Sequence, residues 1–428
     1  MTIMLTKANT LEDMYSSFEF NRPLSEDEYA FFENIYDGKL TRFINDVRRN
    51  KIHQNIFFIA GQRGNGKSTI LNNLKNKNID FEESYEIRHI QAMEVFDISE
   101  VDIVDILLVI GFDLIDNNKL DGAKTKELRD KFADKLQELQ ELSTGELEKV
   151  SSKANSTLTQ GSSDNSISIK ASFFSYFSAD SKLSAIYKTD KNIREEAKRR
   201  YKFKTKDLLD TINSLIDEYK RLANSPKEIL LILDGLERLS NIENTDKIFK
   251  EDIALLRDVK CFKIITMPLY LKEISDLNDV KPIDFTMEIK DGKIKNIEHL
   301  KLIVEKRVAN RDLITPEAMD LAVKMSGGNI RQLLEILQRA STEATDIFES
   351  DKVDTKEVKS ALEILKGHYA TRTQIHSKFL NKIKNTHTIE NEDDYSSLAK
   401  TIKDGLVFAY FNGTVYYDIN PIIAENLN

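Results

Sequence analysis

The chain has 428 residues, room for about two to four domains, with 40% hydrophobic and 31% charged residues, enough for packed cores. A formal net charge of −9 argues against wholesale coating of nucleic acid, and the single cysteine, Cys261, excludes an intrachain disulfide and, with six histidines at no ligand spacing, argues against a zinc site. No apolar stretch approaches bilayer length and MTIMLTKANTLEDM lacks a signal-peptide pattern, so the expectation is a cytoplasmic protein with no membrane association.

Residues 1–54 read as a helical lead-in, where FFENIYDGKLTRFINDVRR spaces apolar residues at helical intervals. Ile56 to Ala60 then reads as a buried strand and Ser68 onward as a helix. Between them lies GQRGNGKS: Gly61, Gln62, Arg63, Gly64, Asn65, Gly66, Lys67 and Ser68, followed by Thr69. Its glycines let the backbone turn tightly and aim N–H groups at an anion, and the helix adds the positive end of its dipole. This stretch is a candidate cofactor-binding loop for ATP: Lys67 reaches the β- and γ-phosphates, and Ser68 offers a hydroxyl to Mg²⁺.

SYEIRHIQAMEVFD continues as a second strand and loop, VDIVDILLVIGFDLID as a strongly apolar helix, and ELRDKFADKLQELQEL as a charged amphipathic one. From Ser151 to Ser166 the composition shifts to Ser, Asn, Thr and Gly without period, as in a mobile linker. SISIKASFFSYF alternates like a strand, and a long charged helix is expected from Asn192 to Ala223. These parts form an insertion at about 120–225 that interrupts one core rather than separating two domains. Within it Lys188, Lys191, Arg194, Lys198, Arg199, Arg200, Lys202, Lys204 and Lys206 surround Tyr201 and Phe203. Such a segment could form a nucleic-acid path, an arginine finger for a neighbouring subunit, or the solvated face of a charged helix.

The core resumes at KEILLILDGLERL. Ile229 to Leu233 is a continuous apolar run, as in a strand buried on both faces, and it ends in Asp234, the candidate Mg²⁺ ligand with Ser68. CFKIITMPLYL supplies a further strand ending at Thr266, and DFTMEI a last one. Strands alternating with helices predict a parallel sheet. After about residue 290 the pattern becomes helical. NIEHLKLIVEKRV stripes Ile297, Leu300, Val304 and Val308; TPEAMDLAVKMSGG starts on a Thr315 cap with Pro316 at its first position; NIRQLLEIL puts Ile330, Leu333, Leu334 and Leu337 on one face. KEVKSALEIL and RTQIHSKFLNKI are two further helices, before LVFAYFNGTVYYDI, a hairpin turning at Asn412-Gly413. The fold class is therefore α/β: a parallel-sheet P-loop NTPase core over residues 55–290, a helical lid over 291–350 and a winged-helix-like domain over 351–428.

This order of parts resembles the bacterial AAA+/STAND division of P-loop ATPases, in its origin-recognition-like and transposition-regulator-like branches. GQRGNGKS resembles the Walker A motif, LLILDGLERL the Walker B motif, IITMP the end of the sensor-1 strand and SGGNIRQLL the sensor-2 helix. The D-G-L-E spacing, with Gly235 where many members carry a second acid, looks like the NACHT variant; Thr266-Met267-Pro268 departs from the arginine usual there. The resemblance implies Glu237 as the residue that orients or activates water, with Thr266 and Arg331 as catalytic sensors of the γ-phosphate. It also implies ATP and Mg²⁺ as cofactors, a homo-oligomer, a protein partner or DNA, and roles in DNA transactions or antiviral defence. A slow nucleotide-gated switch with little turnover is the alternative.

Overall fold

Four apolar runs become the parallel strands β1 (Ile56–Ala60), β2 (Tyr85–Gln91), β3 (Glu228–Asp234) and β4 (Phe262–Thr266), and Ile283–Asp284 adds a short β5. The computed structural model describes residues 4–36, 38–75, 81–151, 177, 182–273, 283–284, 287–290, 293–389, 393–412 and 414–427. The sheet order is β2-β3-β4-β1-β5, with every pairing parallel. Strand β4 is buried throughout and β3 along all but its first residue, which explains why both read as unbroken apolar runs rather than alternating ones. The order has a direct consequence for chemistry. Because β4 lies between β1 and β3, its C-terminal Thr266 falls between the glycine loop after β1 and Asp234 at the end of β3.

Helix Ile103–Asp116 is buried at every position except its last, as its apolar circumference predicts, and packs against helices Gly122–Ser151 and Thr205–Ala223. The single helix expected from Asn192 to Ala223 is two, Lys191–Tyr201 and Thr205–Ala223. Lys204 leaves helical geometry at φ −128°, ψ 32°, and the turn lets each helix bury its own stripe: Ile193, Ala197 and Tyr201 in one, Leu208, Ile212, Leu215 and Tyr219 in the other. The expected linker and the SISIKASFFSYF strand lie outside the described residues, apart from Ser151 and Phe177.

DFTMEI is not one strand. Ile283–Asp284 edges the parallel sheet beside β1, whereas Met287–Lys290 (β6) joins Lys293–Ile294 (β7) and the C-terminal hairpin β8 (Val407–Phe411) and β9 (Val415–Ile419) in a second sheet, ordered β7-β6-β8-β9. Gly413 of the predicted turn lies outside the described residues. The hairpin thus grows onto a strand leaving the core, through the parallel β6–β8 pairing.

Three helices, Ile297–Glu305, Pro316–Met325 and Ile330–Asp346, follow β7, and Thr315 Oγ1 accepts from the Ala318 N–H as expected of its cap. The first ends at Glu305, short of Val308, which forms a bridge to Ala8 at the other end of the chain. Helix Thr355–Ile375 runs on through the start of RTQIHSKFLNKI before Ser377–Thr386 and Asp393–Lys403 complete the helical part that precedes the hairpin.

Candidate functional site

The glycine loop turns at Gly64 (φ +92°) and Gly66 (φ +79°), and the latter caps helix Lys67–Asn73. Lys67 is 4% exposed; its Nζ donates to Gly61 O at 2.9 Å and Gln62 O at 3.2 Å and stands 3.5 Å from Glu237 Oε1. Burial pulls the ammonium below its ordinary range, while Glu237 and Asp234 act to hold it up. Thr266 Oγ1 donates to Glu237 Oε2 at 2.7 Å and accepts from the Gly235 N–H at 2.7 Å. Both oxygens of Glu237 are therefore engaged, one by Lys67 and one by Thr266.

Asp234 faces the same point. Burial would raise its carboxyl, but the His89 ring, the Ser68 hydroxyl and the Lys67 charge outweigh burial and hold it below the usual aspartate range. His89 Nε2 is 3.7 Å from Asp234 Oδ2, beyond hydrogen-bond reach. Asp234 Oδ1 is buried with no hydrogen-bond partner. An orphaned carboxylate oxygen beside a serine hydroxyl is a donor set that fits Mg²⁺. No cluster of three or more His, Cys, Asp or Glu suited to a metal occurs among the described residues.

The lid closes directly onto the loop. Asn329 Nδ2 donates to Arg63 O at 2.6 Å, and the Arg331 N–H donates to Gly64 O at 3.1 Å. The Arg331 side chain lines the cleft, with Nε donating to Phe20 O at 3.2 Å; burial and the charges of Arg63 and Arg238 push its guanidinium down to about 10. Gln62 turns elsewhere: its side chain is buried against β8, with Nε2 donating to Val407 O and Oε1 accepting from the Ala409 N–H, both at 3.4 Å. Thr69 Oγ1 accepts from the Leu24 N–H at 3.2 Å. Asn65 is buried, and its carbonyl accepts from the Tyr36 hydroxyl.

The cleft above the loop spans about 930 Å³, counted out into its open mouth. One wall comes from the lead-in, through Phe20, Leu24, Phe31, Phe32 and Tyr36, and the opposite wall from Ile303, Ile330 and Leu334 of the lid. Sequence reasoning missed the lead-in wall, His89, Tyr36 and Arg238. Only the position of Arg238, directly after Glu237, could have flagged it. A smaller cleft of about 540 Å³ opens on the far side of Arg63, Glu237 and Arg238, towards Ile402 and Lys403.

Most cations of the basic segment are tied within the chain. Lys188 donates to Met93 O, Lys191 pairs with Glu100 and Glu195, Arg194 with Asp97, Lys198 with Asp105, Arg200 with Glu196, and Lys204 donates to Leu139 O. Tyr201 is buried; Phe203 is 90% exposed. No helix among the described residues is long and apolar enough to cross a membrane.

Among solved structures the chain is similar to the Walker-type ATPase PABY2304 of Pyrococcus abyssi, at 15% identity and TM-score 0.43, covering 96% of this chain and 99% of that one. It is also similar to Cdc6p of Pyrobaculum aerophilum, at 13% identity and TM-score 0.40 over 96% and 98% of the two chains. The Thermotoga maritima RuvB Holliday junction branch migration motor is similar at 13% identity and TM-score 0.39 over 95% and 92%. No family model and no curated protein matches the chain.

Proposed function

We propose that the chain binds ATP with Mg²⁺ in this cleft, hydrolyses it, and uses the nucleotide state to govern self-association and the engagement of a protein partner or DNA. The observation that carries the reading is the convergence of Lys67, Ser68, Asp234, Glu237 and Thr266 at the C-terminal ends of three adjacent parallel strands. The loop N–H groups and Lys67 hold the phosphates, and the apolar end of the cleft, with Leu5, Phe31, Ile303 and Leu334, takes the base. Ser68 and Asp234 would hold Mg²⁺, which would supply charge neutralisation for the phosphate oxygens.

In the reaction the oxygen of water bonds to the γ-phosphorus as the bond to the β–γ bridging oxygen breaks. The electron pair of that bond leaves with ADP, and Glu237 orients the water and accepts its proton. Thr266 fixes the Glu237 carboxylate in place, and Arg331 ties the γ-phosphate to the lid. Residues 291–350 then act as the lid, and residues 351–428 as the domain that relays its position.

A second reading, a slow nucleotide-gated switch, is favoured by the commitment of both Glu237 oxygens to Lys67 and Thr266. Two variants separate the readings. Lys67→Ala should abolish binding of a labelled ATP analogue; unchanged affinity would sink the phosphate-cradle assignment. Glu237→Gln should keep binding but lower turnover by roughly a hundredfold or more. A wild-type chain that binds ATP yet turns over none of it, with or without DNA, is the switch.

A further inference from the structure

Several buried or half-buried arginines pair with a carboxylate, Arg22 with Glu28, Arg88 with Glu86, Arg200 with Glu196 and Arg339 with Glu335, while Arg307 donates to the Phe31 and Ile303 carbonyls. Among the described residues Arg63, Arg238 and Arg331 form no ion pair with a carboxylate within 4 Å. All three line the cleft, as does Glu237, whose two oxygens are already committed to Lys67 and Thr266. Their guanidinium groups repel one another: burial and then the charge of Arg238 push Arg63 below its ordinary range. A guanidinium without an ion-pair partner in such a cleft is placed to meet negative charge that develops there.

Arg238 is the least expected of the three. It ends the short turn Leu236–Arg238, whose geometry is fixed by the Arg238 N–H donating to Gly235 O at 2.9 Å. Its Cδ lies close over Gly235, and its Nε is buried with no hydrogen-bond partner. The side chain stands with Arg63 and Glu237 where the two clefts meet.

We propose that Arg238 is an arginine finger supplied in cis, placed by the Glu237 turn to stabilise the γ-phosphoryl oxygens as the bond to ADP breaks, so that each subunit carries its own. The inference rests on the ATPase reading above. Arginine suits the role because its fork donates to two oxygens at once, which a lysine point charge does not reproduce.

The test uses full-length Arg238→Ala and Arg238→Lys. Affinity for a nonhydrolysable ATP analogue should stay within a few-fold of wild type in both, which also shows that the variants fold. Single-turnover hydrolysis should fall roughly a thousandfold in the alanine variant, and the lysine should restore little of it. Trapping of ADP with aluminium fluoride, a mimic of the transferring phosphoryl group, should be lost with the alanine. Mixing Arg238→Ala with Lys67→Ala subunits should restore no turnover. Recovery in the mixture would mean that the arginine acts across a subunit boundary and overturns the proposal, as would wild-type turnover in Arg238→Ala. Should the wild type bind ATP without hydrolysing it, aluminium fluoride decides: trapping lost with Arg238→Ala supports the proposal, and trapping by both or by neither overturns it. A wild type that binds no ATP fails the underlying reading.

Discussion

A Cβ on Gly64 would stand 2.5 Å from Asn329 Oδ1 and 2.8 Å from Arg331 Cβ, at a φ of +92° that side chains rarely adopt. Gly64→Ala therefore forces the phosphate loop and the lid helix apart, combining left-handed strain with overpacking, at a cost of about 2–4 kcal/mol. Chemical denaturation should show that loss together with weaker nucleotide binding. Gly38→Ala, in open space with no positive φ, is the control and should leave both unchanged. At this scale the sequence was readable wherever chemistry follows from local order. Lys67 and Ser68 follow a strand and open a helix, and Asp234 and Thr266 end buried strands, so their positions in space are set by the elements that carry them. His89 and Tyr36 were not readable. His89 reaches Asp234 only through the pairing of β2 with β3, and Tyr36 reaches Asn65 through a hydrogen bond spanning 29 residues.

Among elements, the lead-in departs most from its plain helical reading. Glu28, 1% exposed, accepts from the Leu5 and Ser25 N–H groups and from Arg22, and so folds residues 5–28 into a strap over the cleft. Burial alone would raise its carboxyl, but Arg22 and the two N–H groups hold it down to about 2 from an ordinary 4.5. The folded chain thus binds this proton less readily than the unfolded one. The stabilisation is complete above about pH 4.5 and is lost as pH falls towards about 2. Glu28→Gln should lower stability at pH 7 by about 2–3 kcal/mol and flatten the acid loss in that window, as read by denaturation at pH 7 and pH 3. The strands were legible because continuous apolar runs admit few other structures. The break at Lys204 and the division of DFTMEI were not, because tertiary packing decides where each stripe finds a partner.

Among the described residues nearly all buried apolar side chains form one contiguous core from Ala8 to Leu427, so the lead-in, sheet, lid and hairpin share their packing. The order of α/β core, helices and hairpin was visible from the changing period of apolar residues. The contacts of Gln62 with β8, across more than three hundred residues, carry no periodic signal. Those contacts and the Gly64–Arg331 hydrogen bond tie the loop to both later parts of the chain, so a nucleotide that shifts the loop shifts the surfaces they present. ATP with Mg²⁺ should therefore drive self-association, visible as increased light scattering with a nonhydrolysable analogue. A monomer under every nucleotide condition at micromolar protein would assign the control to an external partner instead. The strap also sets a timetable for synthesis. Ala8 exchanges backbone hydrogen bonds with Arg307 and Ala309, and Phe20 waits 311 residues for the Arg331 side chain. At about 5–20 residues per second, a ribosome takes roughly 15–60 s to span that interval. For most of it the nascent chain has its glycine loop but no closed cleft, so on the ATPase reading capture of nucleotide should begin only once the lid has emerged from the exit tunnel.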